Sequence, residues 1–440
     1  MHVAVVGGGW AGLAAAVAAA EGGALVSLFE AAHALGGRAR RLLLQRPDGL
    51  ACPLDNGQHI LIGAYRDTLT LMQRLGVAPL DVLQVQPLSL RFADGRGLQV
   101  PPWAARWPAP LDGLAAMATA RGWGWGDRLG LLRAALRWRA GGFACADDAT
   151  VAEVCRGVPP RAMEELIEPL CISALNLPAA QASGAVFLRV LRDALFGQPT
   201  AGMAPAALLL PRTDLSALLP DAAAQWLQAQ GHSVHTGARV EAVQRDGIHE
   251  GAGWRLALAD GTQAVFERVV WATGAPAAAR ALAPVAPDWA RTAAAIEHTA
   301  ITTVYAWAPA ARLAAPMLAL RDGPAQFAFD RGALSPREPG LQGVLALVIS
   351  HSSGEREDLQ AAALAQAQAQ LGVQLLPLQT VTEKRATFAC RPGLQRAPAA
   401  VAPGLWAAGD HVDGPYPATL EGAVRSGLQA ARRALDEAIR

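Results

Sequence analysis

Apolar and polar positions along this chain follow two rhythms, short runs that suit strands and a three-to-four spacing that suits helices. Residues 2–6 are an apolar run long enough for one buried strand, and residues 24–29 are a second that ends in Glu30. Between them residues 11–20 are alanine-rich and predict a helix, because alanine loses almost no side-chain entropy there; Gly22 and Gly23 end it. Leu69, Met72 and Leu75 predict a helix over 65–75 that stops at Gly76. Residues 88–92 and 98–100 read as a hairpin around Asp94 and Gly95. Residues 129–138 form an amphipathic helix with an arginine face, and 153–197 reads as apolar helix broken at Pro159, Pro160, Pro169 and Pro178. The LLLPRTDLSALL run at 208–219 leads into a helix ending near Gly231. Strands follow at 234–235, 239–243, 254–258 and 265–266, a β-rich insert with a turn at Asp260 and Gly261. Residues 268–274 are an apolar strand ending in Ala-Thr-Gly. Strands at 301–307, 344–350 and 380–388 then enclose a helix at 356–371. The chain closes with a short strand ending at Gly409-Asp410, a turn-rich loop at 411–417, and a long helix beginning near Thr419.

Three glycines give the first strand its chemistry. Gly7 permits a tight turn, Gly9 lets backbone approach a pyrophosphate, and Gly12 lets the following helix pack closely on the strand. The helix start around Trp10 and Ala11 then offers unpaired N–H groups and a partial positive charge to phosphate. Glu30, at the end of the second strand, is placed to accept a hydrogen bond from a ribose hydroxyl. Strand, glycines, helix and acid in this order point to a dinucleotide site; a glycine-rich turn in some other α/β protein is the alternative.

Composition narrows the partners. With 38 basic against 37 acidic side chains among 440 residues the net charge is +1, so no global field points to nucleic acid. The five cysteines are scattered, with no metal-ligand spacing and no CxxC, which suits a reduced compartment and buried thiols. No apolar run reaches the ~18 residues of a membrane span, and the opening strand leaves no room for a leader, so a cytoplasmic location is expected. Mean hydropathy is nevertheless positive, at +0.21, which asks for a large core, an apolar cavity or an apolar surface. Trp103, Trp107, Trp123, Trp125 and Trp138 interleave with Arg106, Arg121, Arg128, Arg133, Arg137 and Arg139. That mixture suits peripheral contact with the inner face of a membrane; a helical substrate domain with its tryptophans turned inward is the equal alternative.

The segment Leu35-Gly-Gly-Arg-Ala-Arg-Arg41, placed after the glycine fingerprint, resembles the FAD-containing amine oxidase and phytoene desaturase superfamily, in which this loop runs along the flavin. The resemblance implies FAD as cofactor, with Gly37 and Arg38 beside it. Asn56, Gly57, Gln58 and His59 of the Asp-Asn-Gly-Gln-His loop would lie around the flavin ring, Thr273 and Gly274 near the adenine side, and Val240 would also touch the cofactor. At the far end Gly409 and Asp410 would hold ribityl hydroxyls. Thr419, Leu420, Gly422 and Ala423, at a helix N-terminus, would face the flavin pyrimidine edge.

Taken together, GGGWAGLAAAVA, GGRARR, DNGQHILIGAY, EPLCISALN, LLLPRTDLSAL, KRATFAC and GLWAAGDHVDGPYPATLEGAVRSG resemble the hydroxysqualene dehydroxylase family of bacterial squalene and hopanoid synthesis, over most of the chain. The resemblance implies reductive loss of the hydroxyl of hydroxysqualene to give squalene and water, with an unidentified donor recharging the FAD. An acid must help the hydroxyl leave, and Asp55 or His59 is the candidate, with no metal involved. An oxidative carotenoid-type desaturase, an amine oxidase and a non-catalytic flavin- or lipid-binding protein are the other readings. The fold expected is α/β: a Rossmann-like FAD-binding domain from 1–85, 206–285 and 396–440, a helical and possibly membrane-contacting substrate domain at 86–205, and a mixed substrate-domain sheet at 286–395.

Overall fold

The computed structural model describes residues 1–105, 107, 109–246 and 253–436. A six-stranded sheet holds the order Ser233–Thr236, Leu25–Glu30, His2–Val6, Arg268–Trp271, Leu405–Ala407, Ala400–Ala402. The first five strands run parallel and the last is antiparallel. His2–Val6 lies at its centre between two parallel neighbours, which is why Val3 to Val6 are all apolar and buried, while half-buried His2 at the strand's start bonds Ser27. Helix Trp10–Glu21 returns across one face and packs against the C-terminal helix Leu420–Asp436. A Cβ at Gly427 would sit 2.0 Å from the carbonyl oxygen of Ala11, so these two helices meet backbone to backbone. On the opposite face lie the antiparallel strands Val240–Asp246, Gly253–Leu258 and Gln263–Phe266.

A second sheet is antiparallel, in the order Met317–Ala319, Phe327–Asp330, Val344–Ser352, His298–Trp307, Leu376–Phe388. Helix Arg356–Leu371 covers one face. The other face shares a large apolar core with helices Leu111–Thr119, Trp125–Ala140, Glu168–Leu175 and Gly184–Phe196. Asn176 ends the third of these helices with φ +53° and pins it to the sheet: its amide donates to Thr299 Oγ1 at 2.8 Å.

Several elements differ from the sequence expectation. Ser233–Thr236 belongs to the edge of the parallel sheet, where His235 stacks on Phe29, rather than to the β-rich insert. The start of the LLLPR run is a strand, Leu208–Pro211, paired with Leu61–Ile62 and Leu83–Gln86. Arg41–Gln45 and Ala51–Asp55 form a hairpin, so Asp55 ends a strand instead of opening a loop. The tryptophan-rich segment divides. Trp123 and Trp138 are buried, with Trp123 donating to Glu165 Oε2 at 2.8 Å, whereas Trp103, Trp107 and Trp125 are exposed. Arg106 lies outside the described residues. Among the described residues no helix is long and apolar enough to cross a membrane, and no cluster suited to a metal ion occurs.

Candidate cofactor and active site

The site is built where the first strand ends. Gly7 has φ +112°, and a Cβ there would lie 2.6 Å from the carbonyl oxygen of Ala272. A Cβ at Gly12 would lie 1.8 Å from the Gly7 carbonyl oxygen, which fixes how tightly the helix can seat on the turn. No side chain caps the start of helix Trp10–Glu21 and no acid stands in its first turn, so the amides there face outward for an anion. The Gly36-Gly37 loop lies alongside: Gly36 N–H donates to the Gly8 carbonyl at 2.8 Å, and Trp10 Nε1 donates to the Ala39 carbonyl at 3.0 Å. Gly9 remains open, with Gly37 Cα the nearest atom to a Cβ there, at 4.0 Å. Glu30 accepts from the amides of Gly8 at 2.6 Å and Ala32 at 2.7 Å, which orients its carboxylate beside the glycine turn. Ala238 donates to the Glu30 carbonyl, bringing Val240 close to this corner.

The C-terminal block closes on the same corner. Arg38 donates to Asp410 Oδ1 at 2.6 Å and to the carbonyls of Arg385 and Ala386 at 3.0 and 2.8 Å. Burial alone would raise the Asp410 carboxyl, but the Arg38 guanidinium and His411 outweigh it and hold the group well below the usual carboxylate range. Asp410 raises Arg38 in return. Gly409 N–H donates to Ser426 Oγ at 3.1 Å. Thr419 Oγ1 accepts from Gly422 N–H at 3.0 Å, and its carbonyl accepts from Ala423 N–H, so Thr419 caps the helix that starts at Leu420. Thr273 accepts from Trp271 Nε1 at 2.8 Å and leads into Gly274, where a Cβ would meet nothing within 4 Å.

The Asp-Asn-Gly-Gln-His loop lies between these glycine turns and the second sheet. Asn56 exchanges hydrogen bonds with the backbone of Arg40, and Gln58 N–H donates to Thr303 Oγ1 at 3.3 Å. His59 Nδ1 bonds the Gly57 carbonyl at 2.7 Å, which leaves Nε2 to exchange a proton. Burial lowers the ring's pKa, with Arg38 adding to the effect against the Gly57 bond. Asp55 is 2% exposed and accepts from Leu215 N–H at 2.8 Å, while its own carbonyl accepts from Tyr305 OH at 2.9 Å. Burial pushes its carboxyl up to about 7 against the pull of nearby Arg331. The two candidates for acid therefore differ. His59 belongs to the loop beside Arg38, while Asp55 is fixed beneath it on the start of the Leu215–Leu218 helix.

Other participants carry no local motif. Arg331 is fully buried and donates to the Pro211 carbonyl at 3.1 Å and to Gln58 Oε1 at 3.4 Å. Arg396 donates to the carbonyls of Asp410, Gly414 and Tyr416 and lies over the Phe388 ring, shaping the turn after Asp410.

Comparison with known proteins decides the family. The model of the flavin containing amine oxidoreductases matches residues 10–435. The chain belongs to this family. FAD is accordingly its cofactor, and the uncapped helix start, the open Gly9 and the acid-bearing strand end are a fitting cradle for that dinucleotide. This oxidoreductase is also similar to a hydroxysqualene dehydroxylase of Rhodopseudomonas palustris, 28% identical over 97% of this chain and 96% of the relative. One of Zymomonas mobilis is 26% identical over 98% of both. Among solved structures, an oxidoreductase from Methanosarcina mazei superposes with TM-score 0.70 at 15% identity, covering 98% of this chain and 100% of the other. Cyclohexylamine oxidase from Brevibacterium oxydans does so with TM-score 0.64 at 18% identity, covering 100% and 99%. These superpositions bear out the α/β flavin amine oxidase fold, with its mixed, mainly parallel sheet and its antiparallel substrate-side sheet.

Proposed function

We propose that this flavin oxidoreductase removes the hydroxyl of hydroxysqualene reductively, giving squalene and water. The observation that carries the reading is the end-to-end similarity to hydroxysqualene dehydroxylases. The substrate side, where the second sheet packs on the helices of 111–196, is strongly apolar, the kind of surroundings a hydrocarbon substrate needs.

In this reading segments 1–85, 206–285 and 396–440 hold FAD, and 86–205 and 286–395 build the substrate side. Glu30 takes the ribose, the start of helix Trp10–Glu21 takes the pyrophosphate, and Asp410, oriented by Arg38, takes the ribityl chain. Val240, Thr273 and Gly274 flank the adenine side, and the Thr419-capped helix faces the pyrimidine edge. FAD, reduced by a donor of unidentified kind, supplies the hydride equivalent that replaces the hydroxyl. The chain's own contribution is orientation, exclusion of water, and the proton that the His59 imidazolium, its acid form, carries at Nε2 for the departing hydroxyl. Asp55 holds the loop from beneath.

Anaerobic mixing of dithionite-reduced enzyme with hydroxysqualene tests this. Squalene formed in step with the return of oxidised-flavin absorbance is the expected result. No reoxidation by hydroxysqualene, or desaturation of phytoene by the oxidised enzyme instead, refutes it.

A further inference from the structure

Helix Trp125–Ala140 has two apolar faces, and only one of them is used inside the protein. Leu131, Ala134 and Trp138 are buried in the large core. On the opposite side Trp125, Leu129 and Leu136, at spacings that place them on one stripe, are exposed at 74%, 47% and 56%. A surface helix covered on one side normally turns polar residues outward, so a second apolar stripe needs a partner of its own.

The charges along that stripe say which partner. Arg133 and Arg137 border one side, exposed; Arg128 and Arg139 border the other. Arg128 lies over the Trp125 ring at 5.2 Å, and Arg139 lies over Phe196, itself exposed, at 5.5 Å. The helix has a single acid, Asp127, and it is turned back onto the Gly124 amide as a cap. An apolar stripe edged on both sides by arginine, with no carboxylate between, matches an anionic bilayer: Trp and Leu enter the headgroup boundary while the guanidiniums reach phosphate. A second copy of this chain fits poorly, because stripe-on-stripe pairing would set arginine edges against each other. Arg128 also donates to the Ala120 carbonyl, tying the helix to the preceding segment, which exposes Trp103 and Trp107.

We propose that the outer face of helix Trp125–Ala140 is a docking surface for anionic membranes. The proposal does not depend on the identity of the substrate. It corrects the sequence expectation in one respect, since Trp123 and Trp138 belong to the core and take no part.

The test is co-sedimentation of the yellow holoprotein with sucrose-loaded vesicles of phosphatidylcholine, alone or with equimolar phosphatidylglycerol. Binding to the anionic vesicles that weakens with added salt is expected. Leu129→Glu with Leu136→Glu should lower the partition coefficient by at least about tenfold. Replacing Arg133, Arg137 and Arg139 by Gln keeps the stripe and should cost about fivefold per arginine, on anionic vesicles alone. Flavin absorbance retained in each variant certifies its fold. Absence of vesicle binding by the wild type, or binding untouched by both sets of variants, overturns the proposal. So does a concentration-dependent dimer in sedimentation velocity that the glutamate variant abolishes, which would assign the stripe to a second copy.

Discussion

Arg38 and Asp410 are 372 positions apart in the chain and joined by one 2.6 Å ion pair. Replacing Arg38 by Met removes the guanidinium and leaves Asp410, 8% exposed, without its main counter-charge. Breaking a fully buried pair costs roughly 3–5 kcal/mol. Arg38 keeps 38% of its side-chain surface in solvent, and water reaching the orphaned carboxylate reduces the loss to about 2 kcal/mol. Asp410→Asn alone orphans only a half-exposed cation and should cost about 1 kcal/mol. The double variant should lie well below the sum, because Arg38→Met no longer strands a charge. The bonds from Arg38 to the carbonyls of Arg385 and Ala386 are lost in both arms and cancel. Urea unfolding followed by tryptophan fluorescence, on flavin-stripped protein and again with excess FAD, gives the four free energies and separates the pair from cofactor affinity. The pH dependence has a definite sign. Asp410 is depressed in the folded state, so its contribution is present above the unfolded carboxyl value near ~3.9 and is lost as pH falls through the folded value. The gap between wild type and Arg38→Met should be full at neutral pH and close in acid. Additivity of the two single variants within about 0.5 kcal/mol would refute the reasoning.

Other outcomes follow from the same structure. Asp55, raised to about 7, binds its proton more tightly folded than unfolded, so wild-type stability should fall by roughly 2–4 kcal/mol as pH rises from about 4 to 7. Asp55→Asn should flatten that slope in unfolding at acid and neutral pH. His59→Asn should slow single-turnover reduction of substrate about a hundredfold while leaving the flavin spectrum intact. In the wild type the rate should decline as pH rises through a value below the ordinary histidine pKa, a limb the variant lacks. Trp123→Ala should cost about 3–5 kcal/mol in urea unfolding, whereas Trp125→Ala should stay within about 0.5 kcal/mol. Gly427→Ala meets the Ala11 carbonyl at 2.0 Å, backbone that cannot give way, and should cost about 1–3 kcal/mol and lower the flavin-to-protein absorbance ratio.

What was legible in the sequence is what backbone geometry dictates locally. Gly7 and Gly12 are readable because a turn and a helix seat must be made within six residues, and the structure shows each position closed to a side chain. Long-range partners were not readable. Arg38 is an arginine in a glycine loop until Asp410 and the carbonyls of 385 and 386 come to it. Arg331 and Arg396 act through backbone carbonyls, which any sequence offers everywhere. Ser233–Thr236 was misplaced because its partner, Leu25–Glu30, is some two hundred residues earlier and parallel pairing leaves no turn signature. Trp123 and Trp125 are the same residue type two positions apart; only Glu165 and the packing of the helix separate their fates.

The seating of helix Leu420–Asp436 on helix Trp10–Glu21 has a temporal meaning. A ribosome releases the glycine turns some four hundred residues before Asp410, Ser426 and Gly427, so over that interval the nascent chain carries half a clasp. Strand Leu405–Ala407, which flanks Arg268–Trp271, also emerges near the end. Flavin loading therefore waits for residues 405–427 to join the fold, and a chain cut before Leu405 would yield a colourless product whose central sheet has an uncovered apolar margin for chaperones to hold.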